Sequence, residues 1–164
     1  VAPSIIVYKF LKLSYVQHSG GLDVSFFWLT PAFVIAAAGA YRLGKFNLDT
    51  TQSFNFKGMP TPAVGLLIAS FPLIFWYSGN TTIVGIFLNK WFWYAFILVI
   101  SYLMVSNLPI MSLKFKDFSL KNNIPKIILL IVSIVLALLL KWLAVPVIFL
   151  IYIAVSLAFK KRFS

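Results

Sequence analysis

Two fixed cations at the end of an apolar segment are the residues of this sequence best suited to bind a ligand. Arg42 and Lys45 lie in the stretch Tyr-Arg-Leu-Gly-Lys-Phe-Asn of residues 41–47. A second run, Phe-Lys-Gly-Met-Pro-Thr-Pro of residues 56–62, follows after a short polar segment. Cations are costly inside hydrocarbon but stable where phosphates or anionic headgroups meet water. The two runs therefore predict a site for a phosphorylated or lipidic substrate at one membrane face.

The composition is typical of a membrane protein. Hydrophobic residues make up 62% of the 164 residues, charged residues make up 10%, and the mean hydropathy is +0.99. The net charge of +11 indicates membrane topology and attraction to anionic lipid. The cations are spread over loops between apolar segments, so we predict no nucleic-acid partner. The absence of cysteine excludes disulfides, thiolate catalysis and cysteine metal sites.

Six apolar segments predict an all-α, polytopic bundle of about six transmembrane helices that forms one membrane domain over residues 1–164. A full span needs about 20 residues, and the fourth segment reaches that length. Lys141 and Trp142 separate the last two segments, which we interpret as a tight helical hairpin. The first segment resembles the inside of a helix, so we expect it to be truncated and the chain to begin within a longer protein. The segments are 1–13, 26–41, 62–78, 91–111, 127–140 and 143–159.

The distribution of Lys and Arg predicts the orientation of the loops. Counted over alternate loops, ten of the 14 cations lie on one side and four on the other. The richer side is expected to be cytoplasmic. It comprises Arg42, Lys45, Lys57, Lys114, Lys116, Lys121, Lys126, Lys160, Lys161 and Arg162, and the other side comprises Lys9, Lys12, Lys90 and Lys141.

Small residues recur every four positions around the segment that precedes the two cations. They are Ala32, Ala36, Ala40 and Gly44. Such a stripe lets a neighbouring helix approach closely, so we expect it to form the packed face. Arg42 and Lys45 would then share a different face. A simpler interpretation is that both cations only snorkel to the membrane interface.

The remaining polar residues carry weaker signals. His18 is expected to be an ordinary loop histidine, Asp49 a solvated acid, and Asp117 a partner for neighbouring lysines. The aromatic run 91–94 is typical of an interfacial belt. No Walker sequence or zinc-ligand spacing is present.

The motifs around Arg42 resemble the CDP-alcohol phosphatidyltransferase family, in particular its bacterial phosphatidylserine synthases. The family patterns are Arg-Leu-Ala-Arg-Phe-Asn and Phe-x-Gly-Leu-Pro-Ser-Pro. The opening Val-Ala-Pro-Ser resembles the family's Gly-Val-Ala-Pro stretch, a few residues beyond its last catalytic aspartate. The resemblance covers residues 1 to about 67. Gly44 replaces the usual Ala, and Lys45 replaces the second Arg, which keeps the charge but loses bidentate recognition of phosphate.

This resemblance implies transfer of a phosphatidyl group from CDP-diacylglycerol to L-serine with release of CMP, a step of phospholipid biosynthesis. It places residues 1–62 beside the active site and residues 63–164 in C-terminal spans. An acceptor such as glycerol 3-phosphate or inositol is an alternative, and so is a noncatalytic transporter or lipid-binding fragment. The substrate-binding residues implied are Arg42, Lys45, Asn47, Phe56, Gly58, Pro60, Thr61 and Pro62.

The family's aspartate signature, Asp-x-x-Asp-Gly-x-x-Ala-Arg followed by Gly-x-x-x-Asp-x-x-x-Asp, is absent from this sequence. Those aspartates bind two divalent ions and supply the base that activates the acceptor hydroxyl. We therefore expect the catalytic residues and the ligands of Mg²⁺ or Mn²⁺ to lie outside this chain, which alone would be inactive. The resemblance further implies a homodimer in the bacterial inner membrane, with its active-site side cytoplasmic, in contact with anionic lipid.

The predicted orientation can be tested by labelling single cysteines from either side of the membrane. We expect cysteines at positions 116 and 161 to react with an impermeant maleimide only from the cytoplasm, and a cysteine at position 90 only from outside. Reaction of position 90 from the cytoplasm would refute the proposed topology.

Overall fold

The computed structural model describes residues 1–19, 23–48, 56–110 and 120–158. Within these ranges the chain forms eight α-helices and one pair of two-residue strands, so the prediction of an all-α class is confirmed. The helices are α1 (Ala2–Ser19), α2 (Phe26–Leu29), α3 (Val34–Leu48), α4 (Thr61–Tyr77), α5 (Thr81–Phe87), α6 (Lys90–Val105), α7 (Leu120–Leu140) and α8 (Ala144–Ala158), and the strands are β1 (Phe56–Lys57) and β2 (Pro109–Ile110).

Helix α1 lies at the centre of the bundle and is longer than the sequence predicted. Val7 and Leu11 are fully buried, and the helix packs against α3, α4 and α6. It continues past position 13 because its polar residues are satisfied within the helix or by a neighbour. Ser14 donates to the Leu11 carbonyl at 2.7 Å, and the Tyr15 hydroxyl lies 2.9 Å from that of Tyr94.

The predicted segment 26–41 consists of three consecutive helical elements rather than one helix. Short helix α2 is followed by a 3₁₀ turn, Thr30–Phe33, before α3 begins. Pro31 lies in the first turn of this 3₁₀ element, where its missing N–H removes no helical hydrogen bond. Helix α3 continues through Leu48, so both cations of the first motif lie in its last two turns.

Helix α5 is an element that the sequence analysis missed. It precedes α6 at an angle of 66°. The side chains of Asn80 and Asn89 accept hydrogen bonds from Thr82 and Trp91 N–H groups and so begin the two helices. Fully buried Trp93 donates its indole N–H to the Phe87 carbonyl at 2.8 Å, which stabilises the bend. Both caps stand in polar stretches, residues 78–82 and 89–90, and the sequence alone shows no apolar segment between positions 78 and 91 long enough to predict a span.

The predicted segment 91–111 was too long. Helix α6 ends at Val105, because Ser106 is extended (φ −60°, ψ 153°) and Pro109 cannot continue a helix. Strand β2 pairs antiparallel with β1, Phe56 opposite Ile110 and Lys57 opposite Pro109. This pairing brings the residues that follow α3 and those that follow α6 to the same end of the bundle. The count of Lys and Arg over alternate loops had placed these two loops on the same side.

Helices α7 and α8 form the predicted hairpin. Lys141 has φ 50°, a left-handed conformation that ends α7, and a 3₁₀ turn over Lys141–Leu143 leads into α8. The two helices pack against each other. Trp142 stacks on Tyr77 with ring centroids 5.8 Å apart, which fixes the turn against the end of α4.

Several described helices have the character of membrane spans. Residues Phe26–Asn47 and Lys126–Ala158 are long and apolar enough to cross a bilayer by length and composition, and the bent pair α5–α6 could supply a third span. The second of these stretches reverses at Lys141, so α7 and α8 are separate helices within it. The chain thus has membrane character, while a polytopic bundle with about six crossings stays a prediction.

Candidate functional site

Arg42 and Lys45 continue the packed face of α3. Ile35 and Ala38 are 3% and 6% exposed, on a helix that packs against α6 and α1, and the two cations follow them at helical spacing. The expectation that the cations lie away from the packed face is therefore wrong.

The stripe of small residues is only partly buried. Ala32 is fully buried, but Ala40 and Gly44 are exposed. The buried Met104 side chain of α6 lies beside Gly39, so α3 meets α6 with the face that contains Gly39 and, one turn earlier, Ile35. The more C-terminal small residues are left beside an open space.

The guanidinium of Arg42 is held inside the bundle. Its Nη2 donates to the Gly58 carbonyl at 3.1 Å. This bond connects Arg42 to the segment that follows α3, and the Nε of the same guanidinium is buried. The snorkelling interpretation stays open, since the structure does not define the membrane interface.

Gly58 connects the first motif to the end of α6. Its N–H donates to the Leu108 carbonyl at 2.8 Å, and the N–H of fully buried Met59 donates to the Leu103 carbonyl at 3.0 Å. Gly58 has φ 82°, and a Cβ there would lie 2.5 Å from the Ser106 carbonyl oxygen. Only glycine fits this close approach without strain.

Asn107 is a site residue that the sequence analysis missed. The Lys45 ammonium donates to its side-chain oxygen, although the two residues are far apart in sequence. Asn107 was assigned to the interior of a span because α6 was predicted to continue to position 111. The signal was available in Ser106-Asn-Leu-Pro109, since a polar pair followed by proline is typical of a helix end.

A cleft of about 550 Å³ lies beside Arg42. Helices α1 and α3 form two of its walls, and the first turn of α4 closes one end through Thr61 and Pro62. Pro62 suits this position, because the first turn of a helix does not need its missing N–H. Apart from Arg42 and a few polar atoms, the walls are aliphatic or aromatic, with Ile35 and Phe46 among them.

The predicted site residues are only partly brought together. Arg42, Thr61 and Pro62 line the cleft, and Gly58 contacts Arg42. Lys45 is bound to Asn107, and Pro60 precedes α4 as its N-cap. Asn47 is exposed and does not line the cleft, and Phe56 is described only through the backbone of β1. That these residues bind substrate stays a prediction.

A metal site is not formed by the described residues. No group of three or more His, Cys, Asp or Glu side chains among them could hold an ion. His18 belongs to the last turn of α1 rather than to a loop, and its Nδ1 lies 3.0 Å from the Ser14 carbonyl oxygen. Asp49 and Asp117 lie outside the described residues.

The chain is similar to two curated proteins named CDP-diacylglycerol–serine O-phosphatidyltransferase, from two strains of Helicobacter pylori. Each is 33% identical over 141 residues, which cover 82% of this chain and 52% of the relative. An archaetidylserine synthase of Methanothermobacter thermautotrophicus is 32% identical over 78 residues, which cover 48% of this chain and 29% of the relative. No family model and no solved structure matches the chain.

The chain therefore spans about half the length of the Helicobacter relatives. Their names support the resemblance to CDP-alcohol phosphatidyltransferases that the motifs around Arg42 suggested.

The contact between Gly58 and α6 can be tested with a matched pair of glycine substitutions. Gly58→Ala should destabilise the fold by more than about 1–2 kcal/mol, because the strain of the left-handed conformation adds to the overlap with α6. Gly65→Ala in α4 is the control, since a Cβ there meets nothing within 4 Å and alanine favours the helix. Thermal unfolding in detergent measures both, and equal melting temperatures would contradict the proposed role of Gly58.

The bond between Lys45 and Asn107 predicts low chemical reactivity of the Lys45 amine. Asn107→Ala should increase acetylation of Lys45 by about fivefold, the factor that corresponds to about 1 kcal/mol of hydrogen-bond free energy. Mass spectrometry of proteolytic peptides measures this rate, with exposed Lys12 as the internal control. Unchanged labelling of Lys45 would show that Asn107 does not restrain it.

Proposed function

We propose that this chain is part of a membrane enzyme of the CDP-alcohol phosphatidyltransferase family that transfers a phosphatidyl group from CDP-diacylglycerol to L-serine. The observation that carries the proposal is the position of Arg42, a fixed cation turned toward the inside of the bundle beside an apolar cleft. A lipid phosphate requires this combination, because its charge needs a cation and its chains need an apolar surface. Similarity to the Helicobacter enzymes over most of the chain supports the assignment.

Serine is the acceptor that the comparisons favour. The names of both kinds of relative contain serine, whereas the lipid part of the name differs between them. Glycerol 3-phosphate and inositol are therefore weaker alternatives. A noncatalytic transporter or lipid-binding fragment is also less well supported, since all three relatives have the names of synthetic enzymes.

In the proposed reaction the serine hydroxyl oxygen attacks the phosphorus of the phosphatidyl group, and CMP leaves with the electrons of the broken P–O bond. The hydroxyl proton would pass to a carboxylate base outside this chain. Arg42 would hold an anionic oxygen of a substrate, and Lys45 would add a second positive charge at the same end of α3. Divalent cations held by aspartates outside this chain would supply Lewis-acid stabilisation of the phosphoryl group. For that reason we expect the isolated 164-residue chain to be inactive.

The proposed setting is a membrane, with the Arg42 end of the bundle on the cytoplasmic side. CDP-diacylglycerol would enter from the lipid and serine from water, which requires a site at the boundary of the two phases. The bacterial inner membrane, anionic lipid neighbours and a homodimeric state belong to the same proposal.

Substitution of Arg42 in the full-length protein tests its role in substrate binding. Arg42→Ala should lower kcat/KM by roughly 10- to 150-fold, because a charge-assisted hydrogen bond contributes about 1.5–3 kcal/mol. Arg42→Lys should recover only part of this loss, since an ammonium cannot replace the planar guanidinium. Release of CMP from CDP-diacylglycerol in the presence of serine measures the rate.

Lys12→Ala provides the matched control, because Lys12 is an exposed cation on α1 that does not line the cleft. Its kinetics should equal those of the unmodified enzyme at equal membrane expression. Near-normal activity of Arg42→Ala would remove Arg42 from the substrate site and leave it as a structural cation that fixes the Gly58 loop.

A further inference from the structure

The face of α1 that points away from the bundle carries a cation in the middle of the helix. On the opposite face Val7 and Leu11 are fully buried, and Phe10 stacks on Trp93 of α6 with ring centroids 5.0 Å apart. These contacts fix the rotation of α1 about its axis. Lys9 is therefore exposed, and among the residues that the structure describes it has no hydrogen-bond or ion-pair partner.

Lys9 lies about midway between the two polar ends of the bundle. Ser4, five residues earlier, lines the cleft beside Arg42. Tyr15, six residues later, is hydrogen-bonded to Tyr94 near the start of α6. At about 1.5 Å per residue, Ser4 and Tyr15 are about 7.5 Å and about 9 Å from Lys9 along the helix axis. A bundle that crosses a hydrocarbon core of about 30 Å would therefore hold Lys9 well below both surfaces.

A cation at this depth is costly on a surface that faces lipid. Ionisable side chains within membranes almost always face the inside of a bundle or a water-filled cavity, where they are paired. Lys12 is in a different position, because it lies only three residues before Tyr15. The Lys90 ammonium lies 5.1 Å from the centroid of the Tyr15 ring, so a cation is already accommodated at that end of the bundle. Lys12 can extend to water there, whereas Lys9 requires a partner.

The side chains around Lys9 define the kind of partner. Ile5 and Leu13 lie one helical turn on either side of Lys9 and are 43% and 38% exposed. The three side chains form one ridge along α1, apolar at both ends and positive at its centre. Such a ridge fits a second membrane helix that is apolar except for one acidic side chain at the depth of Lys9.

The described part of the chain supplies no such acid. Asp23 is the one acidic residue in the described ranges, and it forms no ion pair within them. Asp49 and Asp117 belong to polar segments that the sequence predicts to be loops. The Helicobacter relatives are about twice as long as the stretch that they share with this chain, which leaves room for further helices.

We propose that the ridge of Ile5, Lys9 and Leu13 is the interface for a further membrane helix of the full-length protein, and that a carboxylate on this helix pairs with Lys9. The carboxylate compensates the ammonium inside the membrane, and the apolar side chains on either side exclude lipid and water from the pair. The proposal goes beyond the proposed function and does not depend on the identity of the substrate.

Replacement of Lys9 by an apolar side chain of similar length tests the pair through the sign of the effect. In full-length protein in lipid nanodiscs, Lys9→Met should lower the melting temperature by roughly 6–20 °C, because it leaves a buried carboxylate without a partner. Lys9→Arg keeps the charge and should retain most of the stability. Lys12→Met is the matched control on α1 and should shift the melting temperature by less than about 2 °C.

A ridge that faces lipid predicts the opposite sign, since removal of a cation from hydrocarbon is stabilising. An unchanged or raised melting temperature of Lys9→Met would therefore overturn the proposal.

Photo-crosslinking identifies the occupant of the ridge while Lys9 is retained. With p-benzoylphenylalanine in place of Leu13, illumination of the full-length protein should give an intramolecular adduct, and mass spectrometry should place it on a peptide outside residues 1–164. The same probe in place of Leu138, which is 78% exposed on the apolar face of α7, is the control and should react with lipid. Reaction of position 13 only with lipid, or formation of a crosslinked dimer, would refute the proposed helix contact.

Discussion

Gly58 meets the last turn of α6 with its backbone alone, and the positions of both candidate cations follow from that contact. A Cβ at Gly58 would overlap the carbonyl oxygens of Met104 and Ser106, at 2.8 Å and 2.5 Å. The absence of a side chain lets the Gly58 N–H bond Leu108 while its carbonyl accepts from Arg42. One residue thus connects the end of α3 to the loop that carries Asn107.

The electrostatic consequence is that each cation is bonded to another segment of the chain, Arg42 to Gly58 and Lys45 to Asn107. In hydrocarbon a guanidinium normally extends toward water, because burial of an unpaired charge is costly. Here one of its nitrogens is bonded to Gly58 and another, Nε, has no partner. Under the proposed function, an anionic substrate would reduce the cost of holding Arg42 in this position.

Much of the architecture followed from the sequence, because apolarity and charge determine helices in a membrane. The hairpin at Lys141 was predicted and agrees with the structure. The strand pairing also agrees with the prediction that the segments following α3 and α6 begin at one end of the bundle. Helix α5 was not, because it has only seven residues and its capping residue, Asn80, lies in a polar stretch that is equally typical of a loop. The packed face of α3 was also predicted wrongly, since small residues permit close packing but do not specify which neighbour is present.

In the candidate site, too, the residues that belong to local motifs could be predicted, and those placed by long-range contacts could not. Arg42, Gly58 and Pro62 were recognisable from short motifs, because each motif constrains its own backbone and charge. Asn107 was not recognisable, because its bond to Lys45 depends on packing between helices distant in sequence. Long-range contacts of this kind leave no periodic signal in one sequence, so they become visible only when the helices are assembled.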